Sequence, residues 1–273
     1  MRLPIPAFWP DSRANRIKKH FVVRIQGDTS ARRRLYICGP EEAMVQIRLA
    51  SVGNFVEFKL SDNRLAEFTH ALEYSHGIPA NVLTLVEQLE SLLTLKSTKH
   101  LDFAVTLDWY KIPSDDQPAD QWPNTPTAEL VRRGKYYQLD SQNLQASQTL
   151  ALELTDVINA HPLLANAPIL ATVPGHKADG KSFGETVAKL VAKKTGKKLV
   201  LTESIGGPRP QAKEESGREL ENAFKFPAPV TGEAIILDDV YRTGTSLRAA
   251  ALAARQAGAH RVYGLTAVRT MRR

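Results

Sequence analysis

The residues best placed for chemistry lie in AIILDDVYRTGTSL, residues 234–247. A continuous apolar strand would carry two adjacent carboxylates, Asp238 and Asp239, to its C-terminal end, the edge where α/β sheets place ligands. After a short bend, Thr243, Gly244, Thr245 and Ser246 open a helix. Hydroxyls, a glycine that permits close approach and helix N-terminal amides with no intrahelical partner together form a phosphate cradle. Acids beside such a cradle suit a sugar phosphate. The carboxylates accept hydrogen bonds from ribose hydroxyls while the loop holds the phosphate. An ordinary strand–turn–helix shares the outline, and it is the pairing of DD with TGTS at this spacing that points to a ligand.

A second loop, PGHKADGKSF at 174–183, follows another apolar strand. Its Gly175, Lys177, Lys181 and Ser182 support two readings. In one, they belong to a solvated loop that exposes two lysines. In the other, Gly175 to Ser182 is a literal P-loop, G-x-x-x-x-G-K-[ST], with AIILDD as the Walker B strand of an ATPase or kinase. The P-loop reading leaves TGTS unexplained and must start its helix at Phe183 and Gly184. A third segment, 203–217, contains Gly and Pro and carries Arg209 and Lys213, with Arg218 just beyond. It reads either as a mobile basic loop closing over the ligand to exclude water or as an ordinary exposed loop. The seven histidines lack ligand spacing, and only His176 lies in a candidate loop.

These loops need a scaffold. Helical periodicity runs through 142–160, followed by a strand at 169–173, a helix at 184–195 ending at Gly196 and a strand at 198–201. The strand at 234–239, an Ala-rich helix at 246–257 and a strand at 261–268 complete the series. Apolar strands alternating with helices predict a parallel sheet covered on both faces, an α/β fold. The first hundred residues differ. Runs at 20–26, 34–38, 43–50 and 54–60, separated by turn signals, predict an antiparallel meander. A helix capped by Ser61 or Asp62 is expected to run to Gly77, and a second, from Ala80, to carry a stripe through Leu93. Residues 112–126, dense in Pro and Asp, read as a linker between an N-terminal α+β module (1–111) and a second domain (127–273).

The 234–247 segment resembles the signature of type I phosphoribosyltransferases, which bind 5-phosphoribosyl 1-pyrophosphate (PRPP). Within that superfamily the chain is most similar to the competence protein ComF-like group. Four further features carry the likeness: ILATVPGHKADGKSFGETVAKLVA; Arg209, Gln211, Arg218 and Asn222-Ala223-Phe224; Ala257-Gly258-Ala259 with Val262; and TAELVRRGKYY at 127–137. The group's N-terminal cysteine zinc module is missing, and Lys-Ser-Phe-Gly stands where the group has Arg-Gly-Phe-Asn. The resemblance implies a type I phosphoribosyltransferase core and Mg²⁺-dependent displacement of pyrophosphate from PRPP by a nitrogen acceptor, the ion being chelated by PRPP and not by a protein-built metal site. Asp238 and Asp239 would be catalytic, 243–246 would hold the 5′-phosphate, 175–182 would face pyrophosphate, and Arg209 and Arg218 would lie in the mobile loop. It also implies a variable hood over the acceptor, for which 1–111 is the candidate, and is compatible with a homodimer.

The 273 residues hold 36 Lys+Arg against 29 Asp+Glu, a net charge of +7, with 42% hydrophobic residues. That composition excludes collagen-like, mucin-like and wholly disordered chains. A single cysteine, Cys38, excludes an intramolecular disulfide framework and fits a reducing cytoplasm. No apolar stretch approaches the ~20 residues that span a bilayer, so no membrane partner is expected. The basic balance leaves open a second function: a non-catalytic PRPP sensor or nucleic-acid-associated protein on the same fold.

Overall fold

The computed structural model describes residues 15–25, 31–96, 98–114, 116–136, 141–208 and 220–271. β1 (Lys19–Arg24) pairs antiparallel with β2 (Arg33–Cys38), setting Phe21 opposite Tyr36. Next come α1 (Glu41–Ser51), β3 (Val56–Glu57), α2 (Asp62–Leu65), β4 (His70–Tyr74) and α3 (Ala80–Gln88). The four strands form one antiparallel sheet in the order β1-β2-β4-β3.

Three expectations for this region fail. Residues 43–50 form most of α1 and not a strand. Ala43, Met44, Ile47 and Ala50 bury one helical face, with Glu41 and Glu42 in the first turn, where carboxylates favour a helix. Residues 61–77 hold only a four-residue helix followed by β4, because pairing with β2 sets Leu72 opposite Leu35 and sinks both into the core. The stripe from Ala80 leaves the helix after Gln88, and Leu93 enters β5 (Leu93–Leu95).

β6 (Phe103–Trp109) follows, then α4 (Pro126–Tyr136), α5 (Ser141–Ala160), α6 (Pro162–Asn166), β7 (Ile169–Thr172), α7 (Phe183–Thr195) and β8 (Lys198–Val200). The short β9 (Glu203–Ser204) pairs with β10 (Phe224–Lys225), and the chain continues through β11 (Gly232–Tyr241), α8 (Thr245–Gln256) and β12 (Ala259–Arg269). The main sheet runs β5-β6-β12-β11-β7-β8, parallel throughout except where β5 opposes β6. The protein is therefore mixed α/β with a mostly parallel central sheet, as its alternating apolar strands require. β5 and β6 come from ahead of the 112–126 stretch, so the sheet draws strands from both sides of it.

Two apolar layers cover the sheet. On one face Ile235, Leu237, Tyr263 and Leu265 meet α5 and α7, and this layer continues into Leu35, Met44 and Leu85 of the N-terminal elements. On the other face Ala234, Ile236 and Val262 meet α8 through Leu247, Ala250 and Ala254. His161, fully buried, ties the first layer together. It stacks on Phe103, its Nε2 lies 2.9 Å from Gln46 Oε1 of α1, and its Nδ1 accepts the Leu164 amide at the start of α6. Burial pushes the imidazole down to about 3, so it is neutral, with Nε2 as the donor to Gln46.

Candidate functional site

The sheet order fixes where a ligand can enter. From β7 the chain passes through α7 to β8 on one side, and from β11 through α8 to β12 on the other. The two helices lie on opposite faces. The crevice between the C-terminal ends of β7 and β11 is thus a topological switch point, where open α/β sheets bind ligands. Both candidate loops open there, held side by side by the Val173 amide, which donates to Leu237 O at 3.1 Å.

The β11–α8 loop is built around Gly244, which caps α8 at φ +75 with no side-chain cap. A Cβ there would lie 2.7 Å from Tyr241 Oη, so backbone angle and space both demand glycine. Thr243 Oγ1 accepts the Thr245 amide at 3.2 Å and lies 2.7 Å from Thr245 Oγ1. Arg248 Nη2 donates to the same Thr245 hydroxyl at 3.4 Å. Ser246 is half-buried in the first turn. The Thr245 amide is taken by Thr243, but no side chain closes the helix at Gly244, which leaves the Ser246 and Leu247 amides available to an anion.

The β7–α7 loop is organised differently. Gly175 touches the far end of the loop: a Cβ on it would lie 2.5 Å from Ser182 Cβ. Ser182 caps α7, its Oγ accepting the Glu185 amide at 3.3 Å while Glu185 Oε2 accepts the Ser182 amide at 2.8 Å. This is a complete capping box. Lys177 and Lys181 are exposed, and neither enters an ion pair among the described residues. Lys181 stands ahead of the helix and the Ser182 hydroxyl is committed to the cap. That arrangement is unlike a P-loop, whose Lys and hydroxyl residues serve the bound phosphates and Mg²⁺. His176 is exposed in the same loop.

Asp238 and Asp239 stand at the end of β11, joined by the Asp239 amide donating to Asp238 Oδ1 at 2.9 Å. Asp239 also meets a residue that its motif gave no reason to single out, because Lys135 Nζ of α4 lies 2.9 Å from its Oδ1. Burial would lower the Lys135 ammonium, but the carboxylates of Asp239 and then Asp238 outweigh it and hold the group above its usual range. The available signal was a lysine in the last turn of a helix, inside the 127–137 segment already marked by resemblance. Beyond the β11–α8 loop, Arg269 of β12 lies over Trp109, 4.9 Å from the ring centroid, and 6.0 Å from that of Tyr241. Burial lowers the Arg269 guanidinium, with Tyr241 and Glu42 of α1 acting against it.

Of the remaining expected residues, Arg209, Gln211, Lys213 and Arg218 lie outside the described residues. Asn222 accepts a hydrogen bond from Gln256 at the far end of α8, and Phe224, in β10, is buried in the layer that faces α8, so neither is at the crevice. Among the described residues no cluster of three or more His, Cys, Asp or Glu could hold a metal ion, and no helix is long and apolar enough to cross a membrane.

No protein-family model matches the chain, and no curated protein matches it. Among solved structures it is similar to the orotate phosphoribosyltransferase from Aeropyrum pernix, at 18% identity over 58% of this chain and 72% of that one, with a TM-score of 0.32. It is also similar to the adenine phosphoribosyltransferase from Thermoanaerobacter pseudethanolicus, at 14% identity over 47% and 82%, TM-score 0.34. The adenine phosphoribosyltransferase from Leishmania tarentolae is 11% identical over 64% and 94%, TM-score 0.34.

Proposed function

We propose that this protein binds PRPP and transfers its phosphoribosyl group to a nitrogen acceptor. The observation that carries the reading is the open, glycine-capped start of α8 beside Asp238 and Asp239, at the switch point of the parallel sheet. Thr243, Gly244, Thr245 and Ser246 hold the 5′-phosphate. Asp238 and Asp239 accept from the ribose hydroxyls and stabilise positive charge developing on the ring. Lys177 and Lys181, flanking the turn between Gly175 and Ser182, face the departing pyrophosphate. In the reaction the acceptor nitrogen bonds to the anomeric carbon and loses its proton, while the anomeric C–O bond breaks and pyrophosphate leaves with the electron pair.

Mg²⁺ fits this donor set as an ion carried in on the ligand's phosphates, because Asp238 and Asp239 offer hard oxygens but no three-residue cluster exists among the described residues. When bound, it neutralises charge on the leaving group. The part of residues 1–111 ahead of β5 would supply the hood, since β5 and β6 belong to the main sheet. What supports this is the electrostatic influence of Glu42 in α1 on Arg269, which lies over Trp109 and close to the Tyr241 ring. The ComF-like grouping rests on the motif likeness over 127–269.

The test is thermal stabilisation by PRPP, ribose 5-phosphate, ATP and GTP, each with and without Mg²⁺. Stabilisation by PRPP that disappears in the Asp238→Asn/Asp239→Asn double variant supports the reading. Unchanged PRPP binding in that variant sinks it, and a response to ATP alone favours an NTPase. PRPP binding without turnover on any nitrogen acceptor identifies a sensor.

A further inference from the structure

The Lys135–Asp239 contact joins residues 104 positions apart, and the surrounding packing is built to allow it. A Cβ on Gly134 would lie 1.9 Å from Phe183 Cε2, so the Phe183 ring at the start of α7 packs directly on the Gly134 backbone in the last turn of α4. A Cβ on Gly184 would stand 3.7 Å from Asp239 Oδ2. Two glycines therefore thin the junction at which α4, α7 and the end of β11 converge. Within the pair the carboxylate is the fixed partner and the ammonium the accessible one, at 14% and 35% side-chain exposure.

Asp239 Oδ1, one of the two oxygens open to a ribose hydroxyl, already accepts the Lys135 ammonium, so part of the acceptor capacity that the ribose would use is taken while the crevice is empty. We infer that Lys135 is an exchangeable stand-in for the ligand. It holds Asp239 in place while the crevice is empty, yields it to the ribose, and carries its ammonium to the pyrophosphate of PRPP. The inference deepens the proposed function and rests on it. The 175–182 loop feeds directly into α7, whose first turn abuts Gly134, so the lysine starts next to the wall along which the pyrophosphate would lie. A compact ammonium on a flexible four-carbon stem suits such an exchange, whereas an arginine fork would tend to lock the carboxylate in a two-bond grip. A ligand without pyrophosphate has to break the ion pair and offers the freed ammonium nothing in return.

Ribose 5-phosphate and PRPP differ by that one group, so titration calorimetry of both, with Mg²⁺, on wild type and Lys135→Met reads the exchange directly. The expected result is a split. Ribose 5-phosphate binds Lys135→Met at least as tightly as wild type, by up to about fivefold, the worth of an accessible ion pair. PRPP binds about tenfold or more weakly, the worth of one charge-assisted hydrogen bond. Lys135→Gln, which keeps a polar tip on the helix, repeats the measurement should the methionine disturb α4. Equal weakening of both ligands, or no change in either, overturns the inference and leaves the proposed function standing. A wild-type protein that binds neither ligand overturns both.

Discussion

Three helices of this protein begin next to functional or buried groups, and they are closed in three ways. α6 is capped by the His161 imidazole, α7 by the Ser182 hydroxyl with Glu185 in return, and α8 by a glycine that offers no acceptor. The first two have satisfied amides with their own side chains. The third leaves its Ser246 and Leu247 amides without a side-chain acceptor among the described residues. The same contrast divides the two crevice loops. In the β7–α7 loop the helix cap is self-satisfied, and the charge is carried by the exposed Lys177 and Lys181. In the β11–α8 loop it is backbone amides that stand open at the helix start. Under the proposed function, the phosphate held through the reaction takes the second loop and the departing pyrophosphate the first.

Gly244→Val should break this contrast most severely. A β-branched residue at φ +75 would collide with Tyr241 Oη, and the strained conformation costs about 1–2 kcal/mol before the clash is counted. We expect a folded but destabilised protein by circular dichroism, with PRPP stabilisation abolished. Retained stabilisation would mean that the phosphate sits elsewhere.

Acidification acts on the α6 cap. The His161 pKa falls from its ordinary 6.5 to about 3 in the folded protein, so its contribution is complete above pH 6.5 and is lost as pH drops toward 3. The loss amounts to roughly 1.4 kcal/mol per pH unit within that window. Urea midpoints measured from pH 7 to 5 should fall in wild type and fall less in His161→Asn. Parallel curves would show that the imidazole does not control acid stability.

Ser182→Ala opens the α7 cap and should cost about 1 kcal/mol in chemical denaturation while leaving the PRPP response intact. If the response vanishes instead, the Ser182 hydroxyl serves the ligand and the two loops are more alike than their hydrogen bonds indicate. Lys177→Ala and Lys181→Ala give the smallest effect. Each should weaken PRPP by about two- to fivefold, as expected for exposed charges, and leave ribose 5-phosphate unchanged. A change in both ligands of equal size would place these lysines away from the pyrophosphate.

Much of the parallel half was legible in the sequence because its strands are continuous apolar runs that only burial on both faces explains. Residues 169–173 and 234–239 correspond to β7 and β11 within a few residues, and Ser246–Ala257 to α8. The N-terminal half was misread where one apolar run fits two periods. AMVQIRLA suits a strand by its apolar content and a helix by its burial, and the carboxylates of Glu41 and Glu42 tip it to the helix. HALEY has no strong local preference, and it is a strand because β2 and β3 flank it. The DD–TGTS segment is local and could be read. Lys135 could not be paired with Asp239 from sequence, since only the packing of α4 across the sheet brings them within 2.9 Å.

The order of strands has a consequence for how the chain is made. β12 is the last of the described strands in chain order, yet it lies between β6 and β11, the parent strand of the acids. Until residues 259–269 emerge, β6 and β11 face one another across a vacant slot, each with a bare hydrogen-bonding edge. Asp238 and Asp239 therefore stand on a strand supported from one side only, by β7, until β12 pairs with it. The crevice is completed when one strand closes the sheet from both sides.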